Sequence, residues 1–109
     1  MEDKLFLDES KKIITEFRSS VESDLPNSKD KQKVLQLTNS VLSKLSNKTK
    51  LDNKVLIEME KFYQNTSMII GLSRLDLKGD AYDSWRVYDK FHFEHVKPNL
   101  KVYGTTLLI

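Results

Sequence analysis

Apolar side chains return along this chain every three or four positions, with polar residues filling the gaps. From Asp8 to Leu25 the apolar set is Ile13, Ile14, Phe17, Val21 and Leu25, with charged and serine residues opposite. That is a helix period and not a strand period, in which apolar positions alternate. Asp8 or Ser10 suits the start, because a short side-chain oxygen accepts from the free N–H groups of a first turn. Pro26 ends the segment, since proline disfavours helical geometry at the residue before it. A second stretch, 28–46, opens on Ser28 as N-cap. It carries Val34, Leu37, Val41 and Leu45 in one row, with Leu35 and Leu42 beside them. The third, 52–70, opens on Asp52 and carries Val55, Leu56, Met59, Phe62, Tyr63, Ile69 and Ile70. Gly71 is a natural stop, because glycine takes the left-handed conformation at little cost. The run Met68-Ile69-Ile70 predicts a last turn buried more deeply than the first.

An irregular link, 72–79, holds the turn signals Leu75-Asp76 and Lys78-Gly79. A fourth helix follows, 80–95, with Asp80 as its cap and Ala81, Trp85, Tyr88, His92 and His95 on one face. From Phe91 onward two periods compete: Phe91, Phe93 and His95 also alternate with His92, Glu94 and Val96. Lys97-Pro98-Asn99 breaks the chain, and Leu100–Ile109 is rich in β-formers. The short polar loop 47–50 favours antiparallel neighbours. The pattern predicts a single all-α domain, 1–109: an antiparallel four-helix bundle with an extended tail, 97–109. The competing reading is α+β, with a C-terminal β-hairpin from about 91 to 109.

Composition narrows the chemistry. The chain has 109 residues, about the size of one domain, and no cysteine. That removes a disulfide scaffold, a thiol nucleophile and a Cys-ligated metal. Eighteen basic and sixteen acidic side chains leave a formal charge of +2, unlike a dedicated nucleic-acid binder. No 20-residue apolar span occurs, and Met1-Glu2-Asp3-Lys4 does not open a secretory signal, so a cytoplasmic protein is expected. Asn47-Lys48-Thr49 and Asn65-Thr66-Ser67 read as chance matches to a glycosylation pattern. No phosphate loop, nucleophile elbow or cofactor motif is present, so the expectation is a non-enzymatic protein without cofactor. His92 and His95, with Asp89 one turn back, share a helical edge. They lack the third ligand and general base of a zinc helix, so no metal is assigned.

Three asymmetries point to binding. Tyr82, Trp85, Tyr88, Phe91 and Phe93 are five of the ten aromatics, gathered in twelve residues. Trp85 belongs in the core, and the surplus divides between core and a contact surface. Residues 1–24 carry four basic and seven acidic side chains, net −3, whereas 25–50 carry six lysines and one aspartate, net +5. Either the first two helices attract each other, or Lys29, Lys33, Lys44, Lys48 and Lys50 face an acidic partner or an anionic surface. A nucleic-acid-binding regulator using Lys29–Lys50 is the alternative of another class. Leu107, Leu108 and Ile109 pack back on the bundle or dock on a partner.

The segments Val41-Leu42-Ser43-Lys44-Leu45 and Val55-Leu56-Ile57-Glu58-Met59, with Leu100-Lys101-Val102-Tyr103-Gly104 near the end, resemble the second-helix, third-helix and aromatic–Gly patterns of the immunity proteins for pediocin-like (class IIa) bacteriocins. The resemblance implies an antiparallel four-helix bundle inside the producing cell. Such a protein confers resistance by recognising the bacteriocin-bound membrane receptor at its cytosolic face, with the C-terminal part setting specificity. The residues expected to meet a partner are Tyr82, Tyr88, Phe91, His92, Phe93, His95, Tyr103, Leu107, Leu108 and Ile109, with Lys29, Lys33 and Lys44.

Overall fold

The computed structural model describes residues 2–72 and 75–100. Helix α1 spans Asp3–Asp24, α2 Lys29–Ser46, α3 Asn53–Leu72 and α4 Gly79–Phe91. A π-helical turn, His92–Val96, and a 3₁₀ turn, Lys97–Asn99, continue α4. The result is an all-α antiparallel four-helix bundle. No strand occurs among the described residues, and 91–99, where the hairpin reading began, are helical. The remainder of that reading, 101–109, lies outside the described residues.

Two of the expected caps are made. Ser28 Oγ accepts from the Lys31 amide at 3.0 Å, and Asp52 Oδ1 from the Val55 amide at 2.9 Å. The start of α1 is earlier than its apolar period suggested, because Phe6 and Leu7 extend the buried stripe by two turns. Ser10 therefore lies inside the helix. Its hydroxyl is buried and donates to the Phe6 carbonyl at 2.7 Å, satisfying a group that would otherwise be costly there. Gly71 does not stop α3, which runs on to Leu72. The left-handed glycine is Gly79 instead, with φ +54° at the first residue of α4.

Charged groups from other helices tie the ends together. The buried Lys31 ammonium of α2 donates to the carbonyls of Glu22 (2.9 Å) and Leu25 (2.8 Å), at the negative end of the α1 dipole. The Asp24 carboxylate of α1 accepts from the amides of Asp80 (3.0 Å) and Ala81 (3.3 Å), at the positive end of α4. Asp24, and not the expected Asp80, thus caps α4. The tie between α1 and α2 is Lys31 on backbone carbonyls and not pairing of opposite side chains. These links place the C-terminal end of α1 beside the starts of α2 and α4. At the far end, Phe6 meets Phe91 with ring centroids 5.3 Å apart. The Asp3 carboxylate there accepts from the Leu51 amide at 3.0 Å. Lys44 pairs with Glu58 at 2.8 Å across α2 and α3.

The core is one cluster, built on Ile14, Phe17 and Val21 from α1, Val34 and Leu45 from α2, Met59 and Phe62 from α3, and Tyr88 from α4. Burial along α3 runs opposite to expectation. Val55, Leu56 and Met59 are buried, whereas Met68 is 56% and Leu72 76% exposed. The reason is where α4 lies: its ring contacts with α3 all fall on Phe62 and Tyr63, short of the last turn.

Asp24→Ala is expected to cost about 1 kcal/mol, the usual value of a lost N-terminal cap. Lys31→Met, which leaves two carbonyls without their donor, is expected to cost about 1–3 kcal/mol. Urea denaturation measures both.

Candidate functional site

Helix α4 carries more aromatic surface than one buried face can hold, and the structure divides it. Tyr88 and Phe91 are buried, and Trp85 is half-buried against Phe17 (5.1 Å) and stacked on Tyr63 (5.6 Å). Tyr82 and Phe93 point outward, 46% and 49% exposed. Each carries a cation one turn further on. The Arg86 guanidinium lies over the Tyr82 ring at 5.7 Å and donates to its hydroxyl at 3.1 Å. The Lys97 ammonium lies over the Phe93 ring at 5.2 Å. With exposed Lys90 between them, these residues make an outward stripe of aromatics and cations, and aromatic residues and arginine are the types enriched at protein interfaces.

Behind the stripe lies a buried polar network. His92 Nε2 and Glu60 Oε1 are 2.5 Å apart, at 1% and 6% exposure. The other oxygen of Glu60 accepts from Gln64 at 2.8 Å. The Tyr63 ring is stacked on the His92 imidazole, with centroids 3.7 Å apart, and its hydroxyl donates to Asp89 at 2.6 Å. Tyr88 donates to the Met59 carbonyl at 3.1 Å. Burial, reinforced by the bond to Asp89, pushes the Tyr63 phenol up to about 12. Burial also raises Tyr88, with the Glu60 charge adding to it. Phe93 stands edge-on to both half-buried Tyr63 (5.6 Å) and buried His92 (4.7 Å), so the stacked pair positions an exposed ring.

The π turn decides which side chains close the face. In a continued α-helix His95 would follow His92 into the core. The wider turn advances less per residue. Val96 takes the buried place, and His95 moves to the edge beside Phe91, at 5.0 Å.

Of the residues expected to meet a partner, Tyr82 and Phe93 are exposed, His95 is half-buried, and Tyr88, Phe91 and His92 are buried in the core. Those last three support the surface from within and do not form part of it. Lys29 and Lys33 are exposed, while Lys44 is engaged by Glu58. Tyr103, Leu107, Leu108 and Ile109 lie outside the described residues. His92, His95 and Asp89 do not converge on one point: His92 pairs with Glu60, His95 lies beside Phe91, and Asp89 accepts from Tyr63. Among the described residues no cluster of three or more His, Asp or Glu side chains could hold a metal ion. The pattern does not single out Glu60, Arg86 or Lys97, and it places Tyr63 only on the apolar stripe of the third helix. Glu60 had a signal: a carboxylate one turn after Leu56 and beside Met59, on the apolar stripe.

Glu60→Ala is expected to destabilise the fold by about 3–5 kcal/mol, the cost of breaking a buried pair from one side. Glu60→Met combined with His92→Leu is expected to cost less than either change alone, which a double-mutant denaturation cycle reads. The Tyr63 phenol, at 10.0 in the unfolded chain, rises to about 12 in the fold. Its contribution to stability is complete below pH 10 and lost as pH rises through 12. Tyr63→Phe is therefore expected to flatten the fall of unfolding free energy over that window. No protein-family model matches the chain, and no curated protein or solved structure matches it either.

Proposed function

We propose that this chain is a non-enzymatic binding protein that meets a protein partner through the outward stripe of α4. The observation that carries the reading is the pair of half-exposed rings, Tyr82 and Phe93, each held by a cation one turn on. Tyrosine and arginine are enriched among the few residues that carry most of the binding energy of protein interfaces. Rings held in place before contact lose less conformational freedom when they bind. Phe93 is so held by Tyr63 and His92.

The partner we propose follows the resemblance to class IIa bacteriocin immunity proteins, whose fold class this bundle shares. In this reading the chain acts in the cytoplasm of the producing cell, recognises the bacteriocin-bound receptor and so confers resistance. No helix among the described residues is long and apolar enough to cross a membrane.

Expression of the chain in strains sensitive to pediocin-like bacteriocins tests this. Protection against at least one such bacteriocin is expected, with recovery of the chain on its receptor from membrane fractions. The combination Tyr82→Ala with Phe93→Ala is expected to weaken receptor binding by about tenfold or more, since losing a hot-spot ring costs about 2 kcal/mol. Its melting temperature should stay close to the parent's. Absence of both protection and receptor capture, or capture that the double substitution leaves unchanged, would overturn the proposal.

A further inference from the structure

The end of α3 leaves an apolar surface that the α4 stripe does not use. Met68 and Leu72 stand more than half exposed, one turn apart. Leu37, Met68 and Ile69 form part of the lining of an open groove of about 510 Å³ between α2 and α3, rimmed by Lys33, Ser40 and Asn65. None of the residues lining it is acidic. Lys33 also lines a second cleft with Ser28, Lys29 and Gln32 at the start of α2, so the cationic surface continues past the end of the groove. Lys29 and Lys33 form no ion pair with a described residue, whereas Lys44 holds Glu58 and Lys31 turns inward.

We propose that this groove receives an amphipathic helix from an acidic protein partner. The apolar side of that helix lies on Leu37, Met68 and Ile69, and its carboxylates face Lys29 and Lys33. Two antiparallel helices leave a trough that a third fits, and apolar residues at helical spacing anchor such docking. Methionine suits the floor, because its unbranched side chain adapts to the shape it meets. The stretch of α2 from Lys29 to Ser40 is about 17 Å long, which a docked helix of about eleven residues would match. A second copy of this chain fits less well. Its acidic side, where Glu16, Asp80 and Asp83 line a cleft between α1 and α4, offers carboxylates. The apolar stripes of those helices are already turned into their own core. This surface is separate from the α4 stripe and does not rest on the immunity reading.

The probe is a fluorescein-labelled peptide of about 14 residues, with leucines along one helical face and glutamates on the other. Anisotropy is expected to show saturable binding to the full chain. Met68→Glu, at an exposed position, is expected to weaken it by about tenfold or more, as is Lys29→Ala with Lys33→Ala. A peptide with lysine in place of glutamate is expected to bind at least about tenfold less tightly. Phe93→Ala should leave binding unchanged, which separates this face from the α4 stripe. Any of four results would overturn the proposal. The first is no saturable binding, and the second is equal binding of the lysine peptide. The third is indifference to Met68→Glu. The fourth is that Met68→Glu instead abolishes self-association or attachment to phosphatidylglycerol vesicles.

Discussion

Glu60 sits on the buried stripe of α3, where a carboxylate without a partner would cost several kcal/mol. Its partner comes from the far end of α4, and the demand for that contact propagates outward. Helices α3 and α4 cannot slip by a turn without separating Glu60 from His92. The imidazole so fixed gives Tyr63 a flat surface to stack on. Tyr63 then holds Trp85 on one side and Phe93 on the other. The same register leads into the π turn, which carries Val96 inward and His95 outward. Replacing such a pair by apolar groups of the same shape can leave a protein as stable as before. What the pair supplies here is a defined placement of α4 on α3, and with it the positions of the exposed rings.

Much of this was legible in the sequence, and the rest was not for physical reasons. The apolar period marks all four helices, and Ser28 and Asp52 act as the caps their side chains suggest. The beginning of α1 was obscured because Leu5, Phe6 and Leu7 are consecutive and show no period of their own. Gly71 suggests a stop, yet α3 runs one residue past it, because propensity is a weak local preference. The exchange of His95 for Val96 depends on a widened turn that has no sequence signal of its own. Burial along α3 depends on where another helix lies, which hydrophobicity alone does not reveal.

The candidate surface divides in the same way. The surplus of aromatics on α4 was visible as a count, but which rings turn outward depends on packing. Tyr82 and Phe93 do so, while Phe91 fills space beside Phe6. Two ionisable residues on apolar stripes, Lys31 and Glu60, mark where the helices are tied together. Each breaks the pattern of its helix, and each is matched from another helix. Exceptions to an apolar stripe are thus as informative as the stripe itself.

Helices α1 and α4 enclose the cleft of Glu16, Asp80 and Asp83, and α2 carries Lys29 and Lys33 on another side. A formal charge of only +2 therefore conceals an uneven layout, net −3 over residues 1–24 and net +5 over 25–50. Charges laid out this way act on a charged membrane or a charged protein over about a Debye length, roughly 8 Å at physiological salt. The protein's encounters are then weighted by orientation, so that an acidic object is drawn to the Lys29 and Lys33 end of α2. Salt would alter how often it arrives correctly turned, well before altering how firmly it holds.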